Sequence, residues 1–166
     1  MWKQFAICML CVLVCGCGFR PLYGTAEQDE VLQGAATVAV APVSGEGGYQ
    51  LGLLLTTKLN PQQLETTKAY RLAVQIEPVR YTNQSVRTDN FASLEQMTVS
   101  LKYQLIDLKT NQNVISSSVK TNGLLNIINQ PYATTVAKEK LYHDLLNNLG
   151  NDIALHVLSY FKGKQP

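Results

Sequence analysis

The chain has 166 residues, enough for one domain with a modest core and too few for two comfortable ones. Apolar residues make up 46% and charged residues 16%, a balance that suits a packed globule and argues against wholesale disorder. The net charge of +2 comes from 14 basic and 12 acidic residues scattered without a basic stripe, which excludes a dedicated nucleic-acid binder.

The N-terminus carries the strongest signal. Met1-Trp2-Lys3 is a short basic start, and the run from Phe5 to Cys15 is apolar and uncharged. It is too short to span a bilayer, which takes roughly 20 residues, and has the length of a signal-peptide core. Val14-Cys15-Gly16-Cys17 has the pattern of a bacterial lipobox, so residues 1–16 read as a lipoprotein signal and Cys17 as the lipidated first residue. A diacylglyceryl thioether and an N-acyl chain on Cys17 anchor far more stably than one chain would. Gly18, where an Asp would favour inner-membrane retention, points to export to the outer membrane. Cys8, Cys11 and Cys15 imitate a metal or redox cluster, but they lie in the segment that is removed and behave there as small hydrophobes.

Residues 17–36 read as a lipidated tether, with Pro21, Gly24 and the polar stretch from Thr25 to Glu30. Residues 37–162 read as a single α+β domain, followed by a short tail at 163–166. Thr37 to Val43 has strand character, and the turn cluster Ser44-Gly-Glu-Gly-Gly48 ends it. Leu51, Leu54, Leu55 and Leu59 then space a helix over Tyr49 to Leu59, stopped by Asn60-Pro61. Tyr70, Leu72, Val74 and Ile76 alternate with polar residues as a strand that can extend to Tyr81, and Asn83 to Asn90 reads as a turn. Leu94 to Leu108 alternates again, with Met97, Val99, Leu101, Tyr103 and Leu105 on one face. Asp107 to Asn113 suits a hairpin, and Val114 to Thr121 a Ser-rich, half-solvated strand. From Pro131 or Thr135 to Phe161, an i, i+4 stripe of Ala137, Leu141, Leu145, Leu149, Ile153 and Val157 predicts a long amphipathic helix. Gly150 weakens it by about 1 kcal/mol relative to Ala.

The order β-α-β-β-β-α predicts a two-layer sandwich. About four strands form a mixed, mostly antiparallel sheet, both helices cover one face, and the other face is polar.

No catalytic constellation stands out, and the chain reads as non-enzymatic. His143 and His156 are too far apart on one helix to share a metal and read as helix-surface residues. No G-x-S-x-G is present, and Ser116-Ser-Ser118 reads as solvation of the outer sheet face. Gly45-x-Gly47 has Gln50 where a dinucleotide fingerprint needs a third glycine, and no Walker lysine follows. No metal site and no cofactor is expected beyond the lipid on Cys17. Arg71, Arg80, Arg87, Lys102 and Lys120 fall on or beside the strands. They are either routine charges of a solvated sheet or a grip for phosphorylated glycolipid, which guanidinium can pair bidentately.

Cys17-Gly-Phe-Arg-Pro-Leu-Tyr-Gly24, directly after the lipobox, resembles the mature start of the lipopolysaccharide-assembly lipoprotein family LptE (the RlpB family). The resemblance continues in Gln130-Pro-Tyr-Ala133 leading into the last helix and in the element order. It implies an outer-membrane lipoprotein that plugs and helps assemble the LptD β-barrel, with the domain on the periplasmic side or inside the barrel lumen. With that partner it would deliver lipopolysaccharide to the outer leaflet. Family members also bind lipopolysaccharide through basic residues, carried over here by type and region to Arg80, Arg87, Lys102 and Lys120. The rival expectation is a lipoprotein adaptor of another envelope machine.

Overall fold

The architecture, described by a computed structural model over residues 26–86, 92–127 and 130–163, is built around one long strand. In chain order the elements are α1 (Ala26–Ala36), β1 (Val38–Val40), α2 (Gly48–Leu59), β2 (Tyr70–Ile76), β3 (Arg80–Val86), β4 (Ala92–Asp107), β5 (Gln112–Asn126) and α3 (Pro131–Gly163). The period-2 pattern of β4 sets which side is covered: Met97, Val99, Leu101, Tyr103 and Leu105 are all buried on one face. A one-residue slip would turn this whole row to water, so the burial itself specifies the register.

Along one edge of β4, β2 pairs with its C-terminal half and β3 with its N-terminal half, both antiparallel. Between them Glu77-Pro78-Val79 breaks the ladder, and the pairing advances by one residue across the break. Pro78 has no N–H to donate, so a bulge-like interruption is what the chain chemistry requires there. β5 pairs along the other edge of β4 for its full length, with a shift next to the hairpin. In that hairpin Asp107 Oδ1 accepts from the backbone N–H of Lys109, and Asn111 takes the left-handed conformation that Asn tolerates. β1 adds in parallel beside β2, reached across α2.

All three helices lie on the Leu101 face. Leu51, Leu55 and Leu59 of α2 and Leu145, Leu149, Ile153 and Val157 of α3 interdigitate with Leu72, Val99, Leu101 and Leu105. Each such side chain contributes about 1.5–3 kcal/mol by leaving water, and Leu149→Ala would cost about 2–5 kcal/mol with its cavity. Asn60 ends α2 and then locks the following loop, its amide both donating to and accepting from the backbone of Leu64.

The two-layer α+β sandwich is as expected, with more elements. Among the described residues the sheet has five strands and there are three helices. The tether expected over 17–36 is corrected at its C-terminal end, where residues 26–36 form α1. Ala35 and Ala36 are buried, and the carbonyl of Ala36 accepts from both Lys68 Nζ and Thr66 Oγ1 at 2.7 Å. Four donors thereby reach the orphan carbonyls of this helix end: Lys68 and Thr66 on Ala36, and the backbone N–H and hydroxyl of Thr37 on Gly34. The turn expected from Asn83 to Asn90 is also corrected: Asn83 to Val86 continue β3, and residues 87–91 lie outside the described part.

Candidate functional site: the open face of the sheet

Among the described residues, none forms a second layer on the face of the sheet away from the helices. Alternation brings Arg71, Ala73 and Gln75 of β2 to it, with Arg80 and Thr82 of β3. Thr98, Ser100, Lys102 and Gln104 of β4 and Ser116, Ser118, Lys120 and Asn122 of β5 continue it, with the apolar Ile106 and Leu124 toward its two ends. The register places three of the expected basic residues on neighbouring rungs. Arg80 is opposite Thr98, Lys120 is opposite Ser100, and Lys102 lies between Gln75 and Ser118. Arg71, opposite Ile106, sits farther along the same face. Arg87 and Cys17 lie outside the described residues.

The alternation of the second strand puts Glu77 on its polar side with Arg71, Ala73 and Gln75, but sequence reasoning missed its part in the site. Glu77 follows β2 on the outward phase, its N–H donates to the carbonyl of Ser100, and its carboxylate pairs with Lys102. Among the described strand residues it is the acid on this face. The period-2 phase gave its side of the sheet, and only the pairing of β2 with β4 brings it to Lys102. A face of hydroxyls, amides and four cations with one acid can hydrogen-bond water or sugar and pair with phosphate.

The covered face holds the polar groups that could otherwise suggest chemistry. Tyr103, in the buried row of β4, hydrogen-bonds its hydroxyl to Nδ1 of His156 at 2.7 Å, and Ser117 bonds to the same phenol. Burial raises the Tyr103 phenol above its ordinary range, and the Ser117 bond partly offsets that. His156 is therefore a partner of the core as well as a surface residue, and Ser117, unlike Ser116 and Ser118, belongs to the helix side. His143 rests against the ring of Tyr142. The two histidines serve separate tyrosines. No group of three or more potential metal ligands occurs among the described residues.

At one end of the sandwich a cleft of ≈ 280 Å³ opens between α3 and β3, lined by Glu46, Val79, Tyr81, Lys138, Glu139 and Tyr142 among others. Lys138 of α3 pairs with Glu95 of β4, and its ammonium stands 4.9 Å above the Tyr81 ring. Tyr142 donates to the carbonyl of Glu46, and its phenol is raised by burial first and then by the charges of Glu46 and Tyr81. These contacts fasten the N-terminal part of α3 to the sheet.

The same fold occurs in solved bacterial lipoproteins. A candidate lipoprotein of Caulobacter crescentus superposes with a TM-score of 0.65 at 20% identity, covering 82% of this chain and 99% of that one. Rare lipoprotein B of Shewanella oneidensis gives 0.53 at 11% identity over 75% and 97% of the two chains. A minor lipoprotein of Acinetobacter baumannii gives 0.55 at 7% identity over 75% and 92%. At such identities the likeness is one of fold. No family model matches the chain, and no curated protein matches it.

Proposed function

We propose that this chain is an outer-membrane lipoprotein of a Gram-negative bacterium, acylated on Cys17, that works without catalysis beside an LptD-type β-barrel. It plugs that barrel and assists its assembly, and it touches lipopolysaccharide directly during transport to the outer leaflet. The observation that carries the reading is the uncovered polar face on which Arg80, Lys102 and Lys120 stand on adjacent rungs. A barrel lumen is polar and wet, so the hydroxyl-rich centre of the sheet can face it and stay solvated. Phosphate groups of a glycolipid find on that sheet the cations that bind them best. The lipobox and the octet from Cys17 to Gly24 support the anchor, and the fold shared with rare lipoprotein B supports the class. A lipid-tethered domain also meets a membrane partner at high effective concentration. No helix among the described residues is long and apolar enough to cross a membrane.

The test is a mild-detergent pull-down of the full chain from outer membranes. A heat-modifiable barrel of large mass is expected in the eluate. Recovery of inner-membrane or peptidoglycan enzymes instead would replace the proposal with an adaptor of another envelope machine.

A further inference from the structure

The open face carries its own counter-anion, and its position has a consequence for how the face binds. Glu77 and Lys120 flank Ser100 on the two strands beside β4, so their backbones stand about 10 Å apart across the sheet. Lys102 is two residues further along β4 and is the cation that Glu77 holds. Arg80 follows three residues after Glu77, just past the Pro78 break, on the same outward phase. One carboxylate thus lies among three cations, and the break at Pro78 keeps it at the end of β2 beside Lys102. The pair is only lightly shielded: the Lys102 side chain is 62% exposed and that of Glu77 31%. A pair so open to water is weak and can be exchanged.

The geometry points to Glu77 as an internal competitor for a phosphorylated ligand. A phosphate arriving at this face takes Lys102 from Glu77, with Arg80 and Lys120 completing the site, and on departure Glu77 recovers Lys102. Glu77 in this way sets a ceiling on affinity: the ligand must repel one fixed negative charge and break one ion pair before it gains its own. A carrier or insertion partner needs that release, because a ligand held too tightly does not move on. The inference rests on the open face being the lipopolysaccharide-contacting surface.

The full acylated chain in dodecyl maltoside is titrated with diphosphoryl lipid A, and in a second arm with inorganic pyrophosphate. Wild type is compared with Glu77→Gln, Lys102→Met and the double variant. Removing one charge at such distances in water predicts that E77Q binds lipid A about 3- to 10-fold more tightly. It also predicts that K102M weakens binding more in the E77Q background than in wild type, because in wild type Lys102 is already engaged. Equal affinity of wild type and E77Q, or identical effects of K102M in both backgrounds, overturns the competitor role. Absence of lipid A binding by wild type and E77Q alike overturns the open-face reading itself. Enhancement with pyrophosphate equal to that with lipid A assigns the site to phosphate alone, and enhancement with lipid A only assigns it to the headgroup on its sugar.

Discussion

Two ion pairs of the same chemical type have different consequences, because their surroundings differ. Lys102–Glu77 is on the wet face and Lys138–Glu95 is at the margin of the core, where the Glu95 side chain is 13% exposed and that of Lys138 33%. Removing Lys102 leaves a carboxylate that water can solvate, so K102A should change stability by less than about 1 kcal/mol. Removing Lys138 leaves Glu95 largely desolvated and strips the cation from Tyr81, so K138A should cost about 1–3 kcal/mol. Urea unfolding of the two variants checks the order, and equal midpoints would contradict it. The buried phenols give a second prediction at this scale. Folded Tyr103 and Tyr142 are raised, so they keep their protons where the unfolded chain begins to lose them near pH 10. Their stabilising contribution is complete below that pH and drains as pH rises through the folded values. Melting temperature should therefore fall above about pH 10, and the fall should be shallower in Tyr103→Phe/Tyr142→Phe. A fall of the same steepness in the double variant would assign it to other groups.

At the scale of elements, small residues set how close the helices and loops come. Gly150 weakens α3 by propensity, yet a Cβ there would stand 2.7 Å from Leu54 Cδ2 and 2.9 Å from Leu51 Cδ1. It is where α2 and α3 touch. At Gly48 a Cβ would run into the backbone carbonyl of Val43, which cannot rotate away as a leucine methyl can. Gly48→Ala should consequently destabilise more than Gly150→Ala. Roughly 1 kcal/mol is expected for Gly150→Ala and about 3 kcal/mol for Gly48→Ala, measured by thermal melts. If Gly150→Ala instead stabilised the protein, propensity would outweigh packing there. The elements that the sequence hid share a physical cause. α1 buries itself through Ala35, Ala36 and the close approach of Gly34 to Phe161, and alanines leave no hydrophobic periodicity to find. β3 is solvent-exposed from Arg80 through Gln84, so no buried face alternates with a polar one. Pairing with β4 makes it a strand, and pairing is a long-range property.

For the molecule as a whole, the lipid proposed on Cys17 and the open face make separate demands. Cys17→Ser should leave the domain folded, because the described core is built from residues 31–161, but should move the protein out of the outer-membrane fraction. Fractionation followed by immunoblotting reads this directly, and unchanged membrane recovery would remove the anchor from the account. The two-layer plan, the long β4, the hairpin at Asp107 and the α3 stripe were legible because large apolar residues repeat with periods of 2 and 3.6. Arg80, Lys102 and Lys120 could be read as sheet residues from the same alternation. That they stand on adjacent rungs could not, because β2 and β3 share one edge of β4 and are offset by a residue at Pro78. Nor could Glu77 be seen as their neighbour, or His156 as the partner of Tyr103 across 53 positions of chain. The sequence by itself determined the periodic elements and the side of each that leaves water, since those follow from local spacing and the hydrophobic effect. Only the tertiary structure decided register, the α1 dock and the grouping of charges, since these depend on which distant segments share hydrogen bonds.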